Sequence, residues 1–362
     1  MGTTNPTVLV TGISGNLGLR LLPLLADYRV IGVDLTPPQT SHPVKFVSMD
    51  LGKEESCREL FLLLKEARPL AVLHLAFVID PVRAGVLDLD RMWQINVAGT
   101  ARVMEAITEA NREDAIVGKF LYPSSVSAYG SDLPEPVTEN FPLGGHTLPY
   151  AIHKRESDKV VQQRAPALRG CSAYLLRPHI FAGASMENYL VGAFRGTPNV
   201  RRRWGKKMHA DGKRLPVLLP FGNRYLEKKI QFVHVDDMAR LLAYIVLKTE
   251  PETQRLTVLN VAGRGEALTF ADCIRIAAAK LMRVPGKWGF RLVLKFGWKS
   301  GISAIPPEAL PYMTGEYTMN IGRLREFLGE DFETVIRYTI TEAFADSFAS
   351  PATAVAQQSV TA

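Results

Sequence analysis

Tyr150 and Lys154 stand four positions apart, as Tyr150-Ala-Ile-His-Lys154, in a stretch whose pattern predicts a helix over Tyr150–Arg164. That spacing sets both side chains on one face, about one turn apart. A phenol with a reference pKa near ~10 is a poor base at neutral pH. A neighbouring ammonium favours the phenolate and lowers that value, which suits proton exchange with an alcohol or carbonyl. Such pairs are common in helices, so the surroundings have to decide. Upstream, Tyr122-Pro-Ser-Ser-Val-Ser-Ala-Tyr129-Gly130 closes a β-rich run in a serine-rich turn, where a hydroxyl can hydrogen-bond the reacting oxygen.

A second candidate site precedes it. Thr11-Gly12-Ile13-Ser14-Gly15-Asn16-Leu17-Gly18 follows the first β-rich run and opens a helix. Glycines at these positions permit a tight turn, close approach of backbone to a pyrophosphate, and close helix–strand contact. The helix start offers unpaired N–H groups and a positive dipole end. An acid, Asp34, closes the second strand 22 residues past Gly12, near the roughly 20 expected for a carboxylate on the adenosine ribose. It would repel a 2′-phosphate, and no Arg or Lys follows at once. The expected cofactor is therefore NAD rather than NADP.

The elements that must position these groups alternate. Thr7–Thr11, Val30–Val33, Val44–Ser48, Ala71–Phe77, Phe120–Ser124 and Ala173–Phe181 read as strands. Leu17–Asp27, Ser56–Glu66, Leu89–Asn111 and Tyr150–Arg164 read as helices, with Pro23 expected to bend the first. Near-continuous apolar strands alternating with amphipathic helices predict an α/β fold, a doubly wound parallel sheet of Rossmann type. Residues 7–181 are expected to form the cofactor-binding domain. From Ala182 the regularity fails, and residues 182–349 are expected to form a smaller, mostly C-terminal substrate-binding lobe. A strand–helix unit at Gln231–Leu247 and a strand at Thr257–Val261 should return to the sheet, interleaving the lobe with it. Helices are expected at Thr269–Met282, Ile321–Phe327 and Val335–Ala349, and disorder at 1–6 and 350–362.

Composition bounds the rest. Hydrophobic residues at 47% and charged ones at 22% are ordinary for a globular chain. No run of about 18 uncharged apolar residues reads as a membrane span, and Met1–Pro6 lacks signal-peptide features, so a cytoplasmic protein is expected. Three scattered cysteines, Cys57, Cys171 and Cys273, argue against a disulfide framework or zinc site and for buried free thiols; no metal is expected. Eleven Lys/Arg against Asp211 and Glu227 between Arg195 and Lys229 account for more than the net charge of +7. The remainder is nearly neutral, so no nucleic-acid partner is expected.

Taken in order, these landmarks resemble the extended short-chain dehydrogenase/reductases, the NAD-dependent epimerase/dehydratase family, over roughly Thr7–Val261. The TGxxGxxG loop is Thr11–Gly18, and the acid after strand two is Asp34. The adenine-contacting Asp is Asp50, beside Leu51. The HLAA strand end is His74-Leu75-Ala76-Phe77, with Phe77 in place of a small residue. NVxGT is Asn96–Thr100, SSxxxYG is Ser124–Gly130, YxxxK is Tyr150/Lys154, LRPxxxxG is Leu176–Gly183, and FxHVxD is Phe232–Asp237. The resemblance implies an NAD-dependent enzyme with Tyr150 as acid/base. Lys154 would hold the nicotinamide ribose while lowering the Tyr150 pKa, and Ser125 would orient the substrate oxygen. It implies cofactor contacts from Gly12, Ser14, Gly15, Asn16, Leu17, Gly18, Asp34, Asp50, Leu51, Leu75, Ala76, Phe77, Asn96 and Pro178, and substrate contacts from Phe77, Ser125 and His179. Pairing into a homodimer is common in the family. His153 and His179 would flank the pocket, although buried hydrogen-bonded histidines are the simpler reading of both.

Departures from the family pattern bear on the substrate. Val126 and Ser127, or nearby Ala128, stand where 4,6-dehydratases carry an Asp–Glu pair, so dehydration is not expected. Ile230 and Gln231 stand where sugar-nucleotide enzymes often place an Arg for a diphosphate, although Lys228 and Lys229 are adjacent, and His179 stands where they often carry Asn. A sugar-like substrate, as in a sugar-nucleotide epimerase with tightly bound NAD, and a bulky apolar alcohol or ketone, sterol- or isoprenoid-like, both stay open. A non-catalytic NAD-sensing protein is disfavoured by the presence of Ser125, Tyr150 and Lys154. Arg201-Arg-Arg-Trp-Gly-Lys-Lys207 and Lys287-Trp-Gly-Phe-Arg-Leu-Val-Leu-Lys-Phe-Gly-Trp298 mix cations with aromatics. A solvated loop and a packed amphipathic helix are the plain readings; substrate contact or peripheral contact with an anionic membrane is the alternative.

Overall fold

The computed structural model describes residues 5–79, 88–112, 114, 116–145, 147–184, 186, 188–199, 203–250, 256–303 and 305–349. The expected disorder at 350–362 and most of that at 1–6 fall outside this range, as do Arg201 and Arg202.

The first half alternates as expected: β1 (Thr7–Thr11), α1 (Asn16–Leu21), β2 (Arg29–Asp34), β3 (Lys45–Ser48), α2 (Glu55–Ala67), β4 (Ala71–His74), α3 (Leu89–Trp93), α4 (Gly99–Ala110), β5 (Lys119–Pro123), α5 (Pro149–Arg164) and β6 (Ser172–Pro178). The second half runs β7 (Ile180–Ala182), α6 (Tyr189–Arg195), α7 (Arg203–Ala210), β8 (Val217–Pro220), β9 (Lys229–Ile230), β10 (Phe232–His234), α8 (Val235–Lys248) and β11 (Leu256–Val261). It continues with β12 (Leu268–Thr269), α9 (Phe270–Ile276), β13 (Leu281–Val284), α10 (Gly286–Ser300), α11 (Leu310–Thr314), α12 (Gly322–Leu328), α13 (Phe332–Val335) and α14 (Ile340–Asp346).

Seven strands form one parallel sheet in the order β11-β6-β5-β4-β1-β2-β3. Side chains alternate across it. Val8, Val10, Leu73, Leu121 and Leu176 face Leu21 of α1 and Leu241 and Ile245 of α8. Leu9, Ile31, Val72, Phe120 and Leu175 face Leu60 of α2, Ile107 of α4 and Val161 of α5. Both faces are covered, which is why the strands are apolar almost throughout. The strand order reverses between β1 and β4, so a crevice opens at their carboxyl ends. A third core cluster, with Phe194, Phe232, Phe270 and Phe344, builds the C-terminal lobe, and β10, α8 and β11 tie that lobe back to the sheet.

Local departures have local causes. Pro23 ends α1 early: the chain tightens into a 3-10 turn over Leu22–Leu25 with the proline in its first turn. The helix expected over Leu89–Asn111 is interrupted by a π turn at Gln94–Ala98, where the Asn96 carbonyl accepts from both Thr100 Oγ1 (2.7 Å) and Ser157 Oγ (2.9 Å). The strand expected over Ala173–Phe181 breaks at His179, whose N–H turns to the Val261 carbonyl. The helix expected over Thr269–Met282 stops at Ile276, and Leu281–Val284 pairs parallel with Val217–Pro220 instead. The last helix begins only at Ile340, behind a Thr339/Glu342 capping box. Cys171 and Cys273 are buried and Cys57 is half-buried; all three are free.

Candidate active site

The glycine loop lies at the switch point of the sheet. Gly12 takes φ 72° and donates to the Val33 carbonyl at 2.8 Å. A Cβ there would sit 2.5 Å from the Ala76 nitrogen, so only glycine lets β1 pass this close to the Leu75–Ala76 backbone. Gly15 and Asn16 are exposed at the rim, Ser14 and Leu17 are half-buried, and Gly18 packs on the Ile13 carbonyl. Asp34 closes β2 and accepts from the Ser14 N–H at 3.0 Å and the Leu35 N–H at 2.7 Å. Asp50, beyond β3 and next to buried Leu51, accepts from the Gly52 N–H at 3.0 Å and pairs with Arg91. That arginine was not singled out in the sequence. Gly52 makes room for it, since a Cβ would meet its guanidinium.

Beyond β4 the chain carries Leu75, Ala76 and Phe77 along the crevice. Asn96 fixes this segment: its side chain accepts from the Val78 N–H at 2.7 Å and donates to the Val78 carbonyl at 3.0 Å. His74 is buried between the Thr11 and Thr100 hydroxyls, and burial drives its pKa down to about 3. It is a neutral structural histidine.

The serine turn and α5 meet at the same edge. Ser125 caps a 3-10 turn over Val126–Ala128, its Oγ accepting from the Ser127 N–H at 3.2 Å, with Ser127 Oγ at 3.0 Å. Tyr150, in the first turn of α5, lies near both serine hydroxyls. Burial pushes its phenol above the ordinary value, and Ser125 and Ser127 draw it back. Lys154 follows one turn further along α5. The Lys154 ammonium turns to the Pro123 carbonyl at 2.8 Å and stands 3.7 Å from the centre of the Phe77 ring. Burial pushes it down to about 7, with Asp158 pulling upward. Phe77, edge-on to Tyr150 at 5.9 Å, thus touches both groups.

His153 and His179 are both buried and bonded. His153 lies 3.3 Å from Asn96 Nδ2 and edge-on to Trp93. His179 accepts from the Ile180 N–H at 2.9 Å, and its other nitrogen reaches the Tyr317 carbonyl at 3.1 Å, so both ring nitrogens are taken. The lobe contributes two aromatic groups the sequence did not reveal, Tyr312 and Tyr317. Burial raises both their pKa values, and they lie close enough to Tyr150 that its charge adds to the rise. The Tyr317 hydroxyl is buried without a hydrogen-bond partner among the described residues.

One turn beyond Lys154, Asp158 is fully buried and paired with Arg177 of β6 through Nε and Nη2, both at 2.9 Å. Ser124 (2.6 Å) and Gln162 (2.7 Å) also donate to it. Arg177 Nη1 continues to Tyr129 and the Glu139 carbonyl, and the Tyr129 hydroxyl donates to Asn260 at 2.6 Å. Among the described residues no group of three His, Cys, Asp or Glu could hold a metal.

Residues 8–262 match the family described as the NAD dependent epimerase/dehydratase family. The chain belongs to that family. UDP-glucose 4-epimerase 4 of rice is 30% identical over 258 residues, covering 65% of this chain and 66% of the relative. The Drosophila melanogaster UDP-glucose 4-epimerase is 29% identical over 213 residues, covering 54% and 58%. The chain therefore spans somewhat under two thirds of the length of the curated relatives it matches. Among solved structures, the UDP-glucose 4-epimerase of Thermotoga maritima with UDP-glucose superposes with a TM-score of 0.64 at 18% identity, covering 98% of this chain and 99% of that one. MoeE5 in complex with UDP-glucuronic acid and NAD gives 0.62 at 19%, covering 94% and 97%. At such identities these two show the fold. Phe77, where the family pattern expects a small residue, covers the Lys154 ammonium.

Proposed function

We propose that this chain is an NAD-dependent oxidoreductase or epimerase of the extended short-chain dehydrogenase type, acting at a hydroxyl- or carbonyl-bearing carbon with Tyr150 handling the proton. The observation that carries this reading is the meeting of Tyr150 with Ser125 and Ser127 at the sheet edge, one helical turn from buried Lys154 and beside the Gly12 crevice. The residues of the crevice suit NAD: the Gly12–Gly18 loop opens α1 at the sheet's switch point with Gly15 exposed at its rim, and Asp34 at the end of β2 would hold the ribose hydroxyls. When bound, NAD supplies a carbon that accepts and returns hydride. Ser125 hydrogen-bonds the reacting oxygen and holds it against the Tyr150 phenol, which takes or returns its proton. Lys154 is poised near neutrality, so a small change in its surroundings sets its charge. Retention of NAD through native purification, read by mass spectrometry, would point to an epimerase, and loss of it to a dehydrogenase. The reading also keeps the family's homodimer, checked by light scattering, and a cytoplasmic location.

The substrate has two readings. The relatives bear names of enzymes acting on UDP-glucose, which makes a sugar nucleotide the first. The second, a bulky apolar alcohol or ketone, is favoured by a cavity of about 530 Å³ between Ile79 and Met313, near neighbours of Phe77 and Tyr312. Val217, Leu218, Val293 and Leu294 line it. Arg195 is the one cation in that lining among the described residues, and its guanidinium already donates to the Ser347 carbonyl at 2.6 Å. Among the described residues a diphosphate would find few partners there.

Tyr150→Phe is the test. Turnover over a panel of sugar nucleotides, sterols and isoprenoid alcohols should fall about 10²- to 10⁴-fold, with NAD affinity unchanged by calorimetry. Persistent turnover sinks the mechanism, and NAD binding without turnover of any panel member by the unmodified protein would favour a sensor.

A further inference from the structure

Helix α10 presents apolar side chains to water as well as to the core. Gly289, Phe290 and Leu294 are buried beneath it. On the other side Trp288 is 76% exposed and Phe296 71%, with Leu292 exposed between them. The three recur every fourth residue and so share a face. Lys287, Arg291, Lys295 and Lys299 recur at the same interval, all exposed. No Asp or Glu occurs between Asp272 and Glu308, whereas seven Lys and Arg do. A solvated helix would carry polar groups in place of the aromatics, and a protein interface excludes lysine from its centre.

Helix α7 adjoins this helix. Its buried Gly205 faces the Asn199 carbonyl and, at 3.1 Å for a Cβ, the carbonyl of Gly301, the residue that caps α10. It exposes Trp204 at 74%, with Arg203, Lys206 and Lys207 around it and no acid in its length. Two neighbouring helices thus combine protruding indole and phenyl rings with cations that have no acidic partner among the described residues.

We propose that α10 and α7 dock this protein on an anionic lipid bilayer. Trp288, Leu292, Phe296 and Trp204 would enter the boundary between headgroups and acyl chains, while the lysines and arginines lie on lipid phosphates. Apolar area and charge attraction act together in such docking, and the long basic side chains let their stems follow the rings inward. Phe296 also lines the 530 Å³ cavity, so the docked face lies at its wall. This inference stands apart from the role of Tyr150, because vesicle binding is read without turnover.

The experiment is co-sedimentation of the full chain with vesicles of phosphatidylcholine alone and with phosphatidylglycerol added. Binding is expected only with phosphatidylglycerol, weakening as salt is raised. Trp288→Ser with Phe296→Ser should abolish it, and Lys287→Ser with Arg291→Ser should weaken it about fivefold per cation removed. Leu62→Ser, an exposed apolar position on α2, should leave it unchanged. Thermal melts matching the unmodified protein show that the replaced residues were not holding the fold. Equal binding to both vesicle types overturns the proposal, as does binding indifferent to the Trp288/Phe296 pair. An oligomer that this pair converts to monomer, with no vesicle binding, overturns it in favour of a second copy on this face.

Discussion

Helix α5 carries two buried polar clusters one turn apart, and they are satisfied to different degrees. Around Asp158 every oxygen is spoken for: four donors reach the carboxylate, and Arg177 passes the network on to Tyr129, Glu139 and Asn260. Burial opposes the Arg177 charge, but its bonds to Asp158 outweigh that and hold the guanidinium firmly protonated. Around Tyr150 the balance is reversed. Burial raises the phenol and drives the Lys154 ammonium down, with few partners to restore either. A closed network holds β6 against α5; an open one leaves groups able to change protonation. On the function proposed, the contrast separates scaffold from chemistry on a single helix.

The largest effect should come from the closed cluster. Arg177→Leu leaves Asp158 buried without its charge partner, which typically costs about 3–5 kcal/mol. The urea midpoint should fall accordingly, and removing Asp158 as well (Arg177→Leu with Asp158→Leu) should recover part of the loss. A single variant of unchanged stability would mean that the pair is solvated, and the comparison would fail.

How much of this was legible in the sequence follows from the range of each signal. The crevice half was readable because its cues are local: glycines spaced within one loop, an acid closing a strand, apolar runs alternating with amphipathic ones. Arg177 and Asp158 lie 19 residues apart on different elements, and only tertiary packing joins them. A signal did exist, since a cation inside an otherwise apolar strand must find a partner when buried. Ser127 was read only as a missing dehydratase acid, because a hydroxyl two residues from another leaves no pattern of its own. The start of the Leu281–Val284 strand was taken into the helix expected over Thr269–Met282 because so short a run has no period, and its strand partner lies some 60 residues upstream. Tyr312 and Tyr317 reach Tyr150 only because the lobe folds back over the sheet.

The open cluster should show itself through pH. Burial lowers the Lys154 pKa from 10.5 to about 7, so between these values the unfolded chain binds the proton that the native state releases. Stability of the NAD-free protein should therefore rise with pH across that window, and below about 7 the native state bears the full cost of a buried ammonium. Lys119, also lowered by burial, acts with the same sign, so the difference between proteins isolates Lys154. Lys154→Met should show a shallower rise in melting temperature from pH 7 to 9. Parallel curves for the two proteins would place the ammonium in a solvated site and remove half of the contrast.

The smallest effect discriminates within the open cluster. Ser125 and Ser127 both lower the Tyr150 pKa, yet only Ser125 is assigned to the substrate oxygen. Ser127→Ala removes one neutral hydrogen bond, worth about 0.5–1.5 kcal/mol. It should move the Tyr150 limb of the pH–rate profile upward while changing kcat at its optimum by no more than about 2- to 13-fold. Ser125→Ala should move the same limb and in addition lower kcat/KM at every pH, because the reacting oxygen loses its donor. Equal losses at all pH values from both variants would make the two hydroxyls interchangeable. Then the turn as a whole, with Ser127 bonded to Ser125, would be the unit that sets the phenol.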